Sequence, residues 1–313
     1  MTRLFRIGTR GSPLALWQAN HVADLLRARA SGHTVELVII QTQGDQVQNK
    51  PLSQIGGDGL FTKAIQDAVL DGRVDLAVHS LKDLPTIPVS GLVLAAVPTR
   101  ASTRDVFISH KFSRFDALPQ GARVATGSQR RRAMIRNRRP DLQLVDIRGN
   151  VDTRLRKLRE LDFDGLILAE AGLTRLGMGH EITELLDSSW MLPAVGQGAL
   201  GLECREDDAE TLNAVSPLDH LASRQAVMAE RAMLLALGGG CQVPIGADAS
   251  VSGDVLSLRG MVLSPDGSRQ ISCDLQGLAS RAESLGRELA AQLNDAGARE
   301  LLSPRVDSEG ARR

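Results

Sequence analysis

The chain has 313 residues, more than a single hydrophobic core usually supports, so two or three domains are expected. Its 42% hydrophobic and 24% charged residues are ordinary for a globular protein, and its net charge of zero provides no overall field to attract nucleic acid or anionic lipid. The first residues lack the apolar core of a signal peptide, and no apolar run reaches the ~18 residues of a membrane span. We expect a soluble, cytoplasmic protein with no membrane partner.

The cysteines support the same compartment. Cys204, Cys241 and Cys273 are odd in number and widely spaced, with no paired cysteines or histidine cluster nearby. This spacing fits neither a disulfide framework nor a zinc site. Free thiols and no metal are therefore expected.

The first hundred residues alternate short apolar strands with amphipathic helices. Ser12 is placed to cap a helix that has Pro13 in its first position. The predicted elements are strands at 4–9, 35–42, 74–79 and 92–97, a helix from residue 12 and a helix at 60–70. Such alternation is typical of an α/β domain with a largely parallel sheet.

The same alternation restarts near residue 104. It predicts strands at 105–109, 123–126, 142–147 and 165–169, with helices from residue 128 and at 151–161. A further strand at 200–205 is expected to return to the first domain. We therefore predict two α/β lobes, residues 1–99 plus about 199–217 and residues 100–198, with a ligand cleft between them.

Residues 218–313 follow a different pattern. A helix at 221–237 precedes predicted strands at 249–251, 255–262 and 270–275, and a second helix covers 278–295. Between the last two strands, Ser264-Pro265-Asp266-Gly267 is a strong hairpin-turn signal. A small α+β third domain is predicted.

Arginine and hydroxyl side chains recur where predicted strands end and helices begin. They are Arg10, Ser12, Thr126, Ser128, Arg130, Arg131, Arg148 and Arg154. Guanidinium forks and the free N–H groups of a helix start bind carboxylates or phosphates well. Anion binding is favoured here, with internal ion pairing as the alternative, whereas the helical arginines 132, 136, 138 and 139 are assigned to a solvated face. RNA is a disfavoured anion, because 3% aromatic residues and no Tyr leave few stacking platforms.

Two other features could carry chemistry. Asp83 follows a buried strand, where a carboxylate facing the arginines could stabilise a cation, or could instead pair with Lys82 or cap a turn. His79, in the same strand, is interpreted as a core histidine. Cys241 follows three glycines, which leave room for a bulky group to approach its sulfur.

Together these stretches resemble the porphobilinogen deaminase (hydroxymethylbilane synthase) family. The matching stretches are 9–19 (TRGSPLALWQA), 59–61 (GLF), 77–85 (AVHSLKDLP), 148–151 (RGNV), 192–199 (LPAVGQGA) and 239–246 (GGCQVPIG). The resemblance implies two lobes like those of periplasmic binding proteins and a third domain that bears the cysteine. It also implies a monomer that joins four porphobilinogen molecules head to tail with loss of ammonia, after which water releases a linear tetrapyrrole.

The resemblance further implies a dipyrromethane cofactor attached through Cys241 and a catalytic role for Asp83. The implied substrate-binding residues are Arg10, Ser12, Phe61, Arg148, Arg154 and Arg175. The implied cofactor-binding residues, besides Cys241, are Lys82, Thr126, Ser128, Arg130, Arg131, Arg148 and Arg154.

Two departures from the family pattern stand out. The family commonly has a second serine at Gly127, and many members have lysines at Gln54 and Asp58, so a basic role of that loop is in doubt. The alternative function is a two-lobed dicarboxylate-binding protein in which Cys241 is incidental.

Overall fold

The computed structural model describes residues 4–29, 34–46, 59–238 and 243–302, with only the backbone described at 45 and 46. Its first sheet has the strand order β2-β1-β3-β10-β4. The strands are β1 (Leu4–Thr9), β2 (Thr34–Ile39), β3 (Leu76–Ser80), β4 (Leu92–Ala96) and β10 (Leu200–Arg205). The helices that accompany this sheet are α1 (Pro13–Arg29), α2 (Gln43–Gln46), α3 (Lys63–Leu70) and α7 (Ala209–Val215). We call this unit the first lobe.

A second five-stranded sheet has the order β7-β6-β8-β5-β9. Its strands are β5 (Asp105–Ile108), β6 (Arg123–Ala125), β7 (Gln143–Val145), β8 (Gly165–Ala169) and β9 (Glu184–Leu185). The helices α4 (Gln129–Arg138), α5 (Val151–Glu160) and α6 (Glu170–Arg175) follow β6, β7 and β8 in turn. We call this unit the second lobe.

The two sheets share one arrangement. In the first, β1 is parallel to β2 and β3, while β10 is antiparallel to both β3 and β4. In the second, β6 is parallel to β7 and β8, while β5 is antiparallel to both β8 and β9. Four strands of each sheet therefore run one way and a single strand runs against them, which confirms the predicted mixed, largely parallel sheets. The opposed strand in each sheet lies just after a crossing between the lobes.

A small antiparallel sheet with the order β11-β12-β13 forms the third unit. It consists of β11 (Ile245–Ser252), β12 (Val255–Leu263) and β13 (Gln270–Leu278), with helices α8 (Leu221–Ala236), α9 (Ala282–Asp295) and α10 (Ala298–Leu302). Met233, Leu289 and Leu293 from the helices are fully buried in its apolar core. The predicted hairpin is confirmed: the Ser264 amide donates to Arg269 O (3.0 Å), and Gly267 has a φ of +75°.

The hairpin turn docks on helix α4 of the second lobe. The Asn137 side-chain amide donates to Gly267 O (2.9 Å), and Arg136 donates to Pro265 O (3.1 Å). A Cβ at position 267 would lie 2.6 Å from Ala133 O, so only glycine allows the turn to approach this closely. Arg136 is thus part of an interface between units, not of the solvated face that the charge run predicts.

Most predicted elements are confirmed, with shifted ends. The helix predicted at 60–70 begins at Lys63, because residues 59–62 form a turn in which Gly59 has a φ of +89°. The helix predicted at 278–295 begins at Ala282, because β13 continues to Leu278. The sequence pattern misses α2, α6, α7, α10 and β9, which are too short to show an apolar period. Within the described residues, none of the helices is long and apolar enough to cross a membrane.

Two chain segments cross between the lobes and bond to each other. The Ala101 amide donates to Gly198 O (3.1 Å), and Arg100 Nε donates to Gln197 O (2.9 Å). Gly198 has a φ of +83°, and a Cβ there would lie 2.5 Å from the carbonyl oxygens of Ala101 and Ser102. The crossing therefore needs glycine both for its backbone angle and for the approach of the other segment.

The substitution Gly198→Ala should lower the free energy of unfolding by about 3 kcal/mol or more, because left-handed strain of about 1–2 kcal/mol adds to the steric clash. Gly177→Ala is the matched control: it has a φ of +70° but no atom within 4 Å of the added Cβ, so it carries the strain alone. Urea unfolding of both variants measures the difference. Equal losses would show that the crossings are not closely packed.

Candidate functional site

Lys82 and Asp83 stand at the carboxyl edge of the first sheet. Strand β3 ends at Ser80, and a single 3₁₀ turn covers Leu81–Asp83. The turn is anchored by the Leu81 amide, which donates to Ala199 O (3.0 Å) on the neighbouring crossing. Both Lys82 and Asp83 are half-buried. A catalytic carboxylate at this edge would face the second lobe.

Electrostatics connect this turn to the second lobe. Burial lowers the pKa of Lys82 to about 8, a shift that the charge of Asp83 opposes and that of Arg131 increases. Burial also lowers the pKa of Arg154 to about 10, again with Arg131 increasing the shift and Asp83 opposing it. Charged groups predicted from separate sequence motifs therefore act on one another across the cleft.

Helix α4 begins at the carboxyl end of β6. Ser128 is its N-cap and accepts a hydrogen bond from the Arg131 amide (3.4 Å), while the Thr126 hydroxyl accepts from the Ser128 amide (3.3 Å). At Gly127, where the family commonly has serine, a Cβ would lie 2.9 Å from Ile147 O. The absence of a side chain at Gly127 thus allows this loop to lie close to the segment that leads to Arg148.

Arg130 and Arg131 share the carboxylate of Asp105. Arg130 Nη2 lies 2.7 Å from Asp105 Oδ2, and Arg131 Nη2 lies 2.8 Å from Oδ1. Burial alone would raise the pKa of Asp105, but these guanidiniums reverse the shift and hold it at about 2. The internal ion pair considered as the alternative for these arginines is therefore present. One anion shared by two cations leaves a surplus of positive charge at this point of the second lobe.

Arg148 and Arg154 flank the turn between β7 and α5. Gly149 in this turn has a φ of +114°, and a Cβ there would lie 2.6 Å from the Thr153 side chain. Arg154 Nε donates to Gly149 O (2.8 Å), which orients its guanidinium near the start of α5. Burial lowers the pKa of Arg148. Both arginines are half-buried at the same edge as Thr126 and Ser128.

Arg10 and Phe61 meet at the edge of the first lobe. The guanidinium carbon of Arg10 lies 4.2 Å from the centroid of the Phe61 ring, a cation–π contact. The ring in turn lies against Gly44, where a Cβ would be only 2.1 Å away. Ser12 caps α1 through a bond from the Ala15 amide (3.4 Å). These predicted substrate-binding residues are therefore gathered at the carboxyl end of β1.

Arg175 lies at the end of α6 and contacts two other parts of the chain. Its Nη2 donates to Gly198 O (2.7 Å) on the second crossing, and its guanidinium carbon lies 5.7 Å from the Trp17 ring centroid. Burial lowers its pKa to about 10. Arg175 thus lies beside the second crossing, where α1 of the first lobe meets α6 of the second.

The residues suit a ligand that carries several carboxylates. We call Lys82, Arg130, Arg131, Arg148 and Arg154 the cationic cluster. Asp83, Asp105 and Asp146 are anions that interact with it, so its five cations outnumber these three anions. Arg130 Nε is also a buried donor with no hydrogen-bond partner among the described residues. A dipyrromethane, whose two pyrroles each bring two carboxylates, fits both observations.

Some predictions lie outside the described part of the chain. Cys241 falls between residues 238 and 243, and Gln54 and Asp58 fall between residues 46 and 59. His79 is confirmed as a core residue: it is 4% exposed, and its Nε2 lies 3.3 Å from Glu203 Oε2. No group of three or more metal-ligating side chains occurs within the described ranges.

Sequence reasoning misses the buried groups that hold the site. Asp105 begins an otherwise apolar strand, and this acid in an apolar setting is a signal that could have been read. Gln197 Nε2 donates to Asp105 Oδ1 (2.9 Å), and Arg100 forms a bidentate pair with Glu230 (2.7 and 2.9 Å). These partners lie from 92 to 130 positions apart in the chain, so no local pattern reveals them.

The fold and the site define a two-lobed α/β protein with an arginine-rich cleft and a small third domain. The family model described as porphobilinogen deaminase, dipyromethane cofactor binding domain, matches residues 5–213, and the porphobilinogen deaminase C-terminal domain matches residues 224–295. The chain is 52% identical over 297 residues to the porphobilinogen deaminase of Trichlorobacter lovleyi, covering 95% of each chain. This chain belongs to the porphobilinogen deaminase family.

Solved structures of binding proteins are also similar to this chain. The methionine binding protein MetQ matches with a TM-score of 0.45 and 14% identity, covering 72% of this chain and 93% of its own. A periplasmic substrate-binding protein of an ABC transporter from Coxiella burnetii matches with a TM-score of 0.42 and 15% identity, covering 68% and 91%.

Family membership confirms the resemblance seen in the sequence. The protein is a transferase of tetrapyrrole biosynthesis, with a dipyrromethane cofactor binding domain formed by the two lobes. The alternative, a binding protein without catalysis, is not favoured.

Asp105→Asn should lower the free energy of unfolding at neutral pH by about 3–5 kcal/mol, because it leaves two buried guanidiniums without their counter-charge. The folded-state pKa of Asp105, about 2, lies below its ordinary 3.8, so this stabilisation is present above pH ~4 and is lost as the pH falls toward 2. The free energies of unfolding of the wild type and of Asp105→Asn, measured across this pH range, test the expectation. The difference between the two free energies should shrink as the pH falls.

Asp116→Asn is the matched control, since Asp116 pairs with Arg138 (2.9 Å) at the surface. It should cost less than about 1 kcal/mol. An equal cost for both variants would contradict a special role for the Asp105 pairing.

Proposed function

We propose that this chain is a hydroxymethylbilane synthase whose chemistry takes place at Asp83. It joins four porphobilinogen molecules head to tail, releases ammonia at each step, and frees the linear tetrapyrrole by reaction with water. The observation that carries the proposal is the position of Asp83 on the 3₁₀ turn after β3, where it interacts with Lys82 and with Arg154 of the second lobe.

The proposed role of Asp83 is to stabilise positive charge. When porphobilinogen loses ammonia, its methylene carbon becomes part of an electron-poor, cationic pyrrole. A carboxylate held beside that carbon stabilises the developing charge more than a neutral group would. The turn is anchored through Leu81 to Ala199, so the carboxylate is held in place before the reaction begins.

The cationic side chains are proposed to bind carboxylates in two sets. Substrate acetate and propionate groups would be bound by Arg10, Ser12, Phe61, Arg148, Arg154 and Arg175, with Phe61 holding the Arg10 guanidinium. The cofactor would be bound by Lys82, Thr126, Ser128, Arg130, Arg131, Arg148 and Arg154. Planar guanidinium forks suit this task because each can donate two parallel hydrogen bonds to one carboxylate.

Cys241 is proposed as the covalent attachment point of the dipyrromethane. When bound, this group supplies the pyrrole to which the first substrate is joined. Helix α8 ends at Ala236 and β11 begins at Ile245, so the cysteine belongs to the connection between them. A thiolate is a competent nucleophile toward an electron-poor pyrrole methylene, which accounts for self-loading of the cofactor.

We take residues 1–99 with about 199–217, residues 100–198, and residues 218–313 as the three domains. The protein is proposed to act as a cytoplasmic monomer on its small-molecule substrate, without a nucleic-acid or membrane partner. The neutral net charge and the low aromatic content support the absence of nucleic-acid binding.

Intact-mass spectrometry of the purified protein tests the cofactor. The wild type should carry an adduct of the mass of a dipyrromethane, and Cys241→Ser should lack it. Cys273→Ser is the control and should keep the adduct, because burial raises the pKa of Cys273 and disfavours its thiolate. An active wild-type protein of unmodified mass would rule out the proposed attachment.

Asp83→Asn should reduce turnover by at least about 100-fold while the thermal stability stays unchanged, because the amide keeps the shape and loses the charge. Asp71→Asn, at an exposed pair with Arg73 (3.5 Å), is the control and should turn over like the wild type. Steady-state assays with porphobilinogen make the comparison. Normal kcat in Asp83→Asn would refute the assignment.

A further inference from the structure

Arg231 connects the helix that leads to Cys241 with the segment that carries Asp83. It lies in the last two turns of α8, and its guanidinium donates from Nη1 to Leu84 O (2.9 Å) and from Nη2 to Pro85 O (2.7 Å). These carbonyls belong to the two residues that follow Asp83 directly. A single fork therefore fixes two consecutive peptide groups at the exit of the catalytic turn.

The same face of α8 also contacts the other side of the turn. Val227 lies four residues before Arg231, one helical turn away, and is fully buried in an apolar cluster with Leu81 and Leu84. Leu81 precedes Lys82 and Asp83, and Leu84 follows them. Packing at Val227 and hydrogen bonds at Arg231 thus hold α8 against both ends of the turn.

Helix α8 continues from Arg231 only to Ala236 before the connection that contains Cys241 begins. From Arg231 to the end of α8 is little more than one helical turn, so the grip on the Asp83 segment lies close to the start of the connection that contains Cys241. The proposed chemistry requires the Asp83 carboxylate to reach the terminal pyrrole. The rate should therefore depend on how the Asp83 segment is placed relative to the connection that contains Cys241.

We propose that Arg231 is a positioning residue, which sets Asp83 relative to the cofactor by holding the carbonyls of Leu84 and Pro85. The inference rests on the proposed role of Asp83. Loss of the fork would release the exit of the turn and let the carboxylate move from the path of the substrate cation. Displacements of about 1 Å at reacting groups can cost about 100-fold in rate.

The chain offers a closely matched control on the same helix. Arg224, two turns before Arg231, donates from Nη2 to Leu94 O (3.1 Å) and Ala95 O (2.9 Å) of the first lobe. Its Nε also pairs with Asp219 Oδ2 (2.7 Å). Arg224 therefore makes the same kind of contact to the same lobe, but on strand β4, away from Asp83.

The test compares Arg231→Met with Arg224→Met in the full-length holoenzyme, with the adduct verified by intact mass. Arg231→Met should lower kcat by about 10- to 100-fold with little change in KM, because the carboxylate moves while the carboxylate-binding arginines remain. Arg224→Met should be at least as destabilised in thermal unfolding and yet keep its kcat. Arg231→Lys should recover part of the lost rate, since an ammonium can still donate to one of the carbonyls.

Equal kcat values for Arg231→Met and Arg224→Met would overturn the inference, as would a loss that appears only in KM. If Arg231→Met does not fold, Arg231→Lys and Arg224→Lys give the same comparison. Asp83→Asn is assayed alongside to separate the two proposals. An inactive Asp83→Asn with a fully active Arg231→Met would remove the role of Arg231 alone, whereas a fully active Asp83→Asn would remove the role of Asp83 and with it the inference.

Discussion

The carboxylate of Asp105 is fully buried and lies where three segments of the second lobe meet. Asp105 is the first residue of β5, and its carboxylate accepts hydrogen bonds from Arg130 and Arg131 of α4 and from Gln197 of the second crossing. Burying one carboxylate and two guanidiniums is unfavourable unless they are paired and bonded, so the segments can pack only in this relative arrangement. The N-terminus of α4 is thereby held at the cleft. Asp105 neutralises only part of the charge of Arg130 and Arg131. The cationic cluster that faces Asp83 therefore keeps an excess of positive charge.

A second buried carboxylate, that of Glu230, holds the two lobes and the third unit in one relative arrangement. Glu230 on α8 pairs with Arg100 on the first crossing and accepts from the amides of Gly196 on the second crossing and Ala249 on β11 (2.7 and 2.9 Å). Burial raises its pKa, and the charge of Arg100 opposes the shift. A single side chain thus bonds to both crossings and to the third unit. Helix α8 is therefore fixed to both crossings and to β11, and Arg231 is the next residue along it.

The sequence is informative where function or periodicity leaves a local pattern. The alternation of strands and helices reveals both lobes, and the turn at Pro265 reveals the hairpin, because each depends on neighbouring residues. Long shared motifs around Asp83 and Cys241 identify the family. What stays hidden depends on distant partners: the pairing of Arg130 with Asp105, the docking of Gly267 on α4, and the grip of Arg231 on Pro85. Arg136 illustrates the difficulty. A charged residue in a run of arginines is expected to face solvent, but Arg136 lies at the contact between α4 and the hairpin turn.

The return of β10 to the first sheet has a consequence for the order of folding. In the first sheet β10 lies between β3 and β4, although the chain makes β10 only after completing the second lobe. An emerging nascent chain therefore has β3 and β4 available about a hundred residues before the strand that joins them. Such long-range pairing raises contact order and delays closure of the sheet. The N-terminal segment cannot complete its sheet during early synthesis, and until β10 arrives the facing edges of β3 and β4 remain open to incorrect pairing.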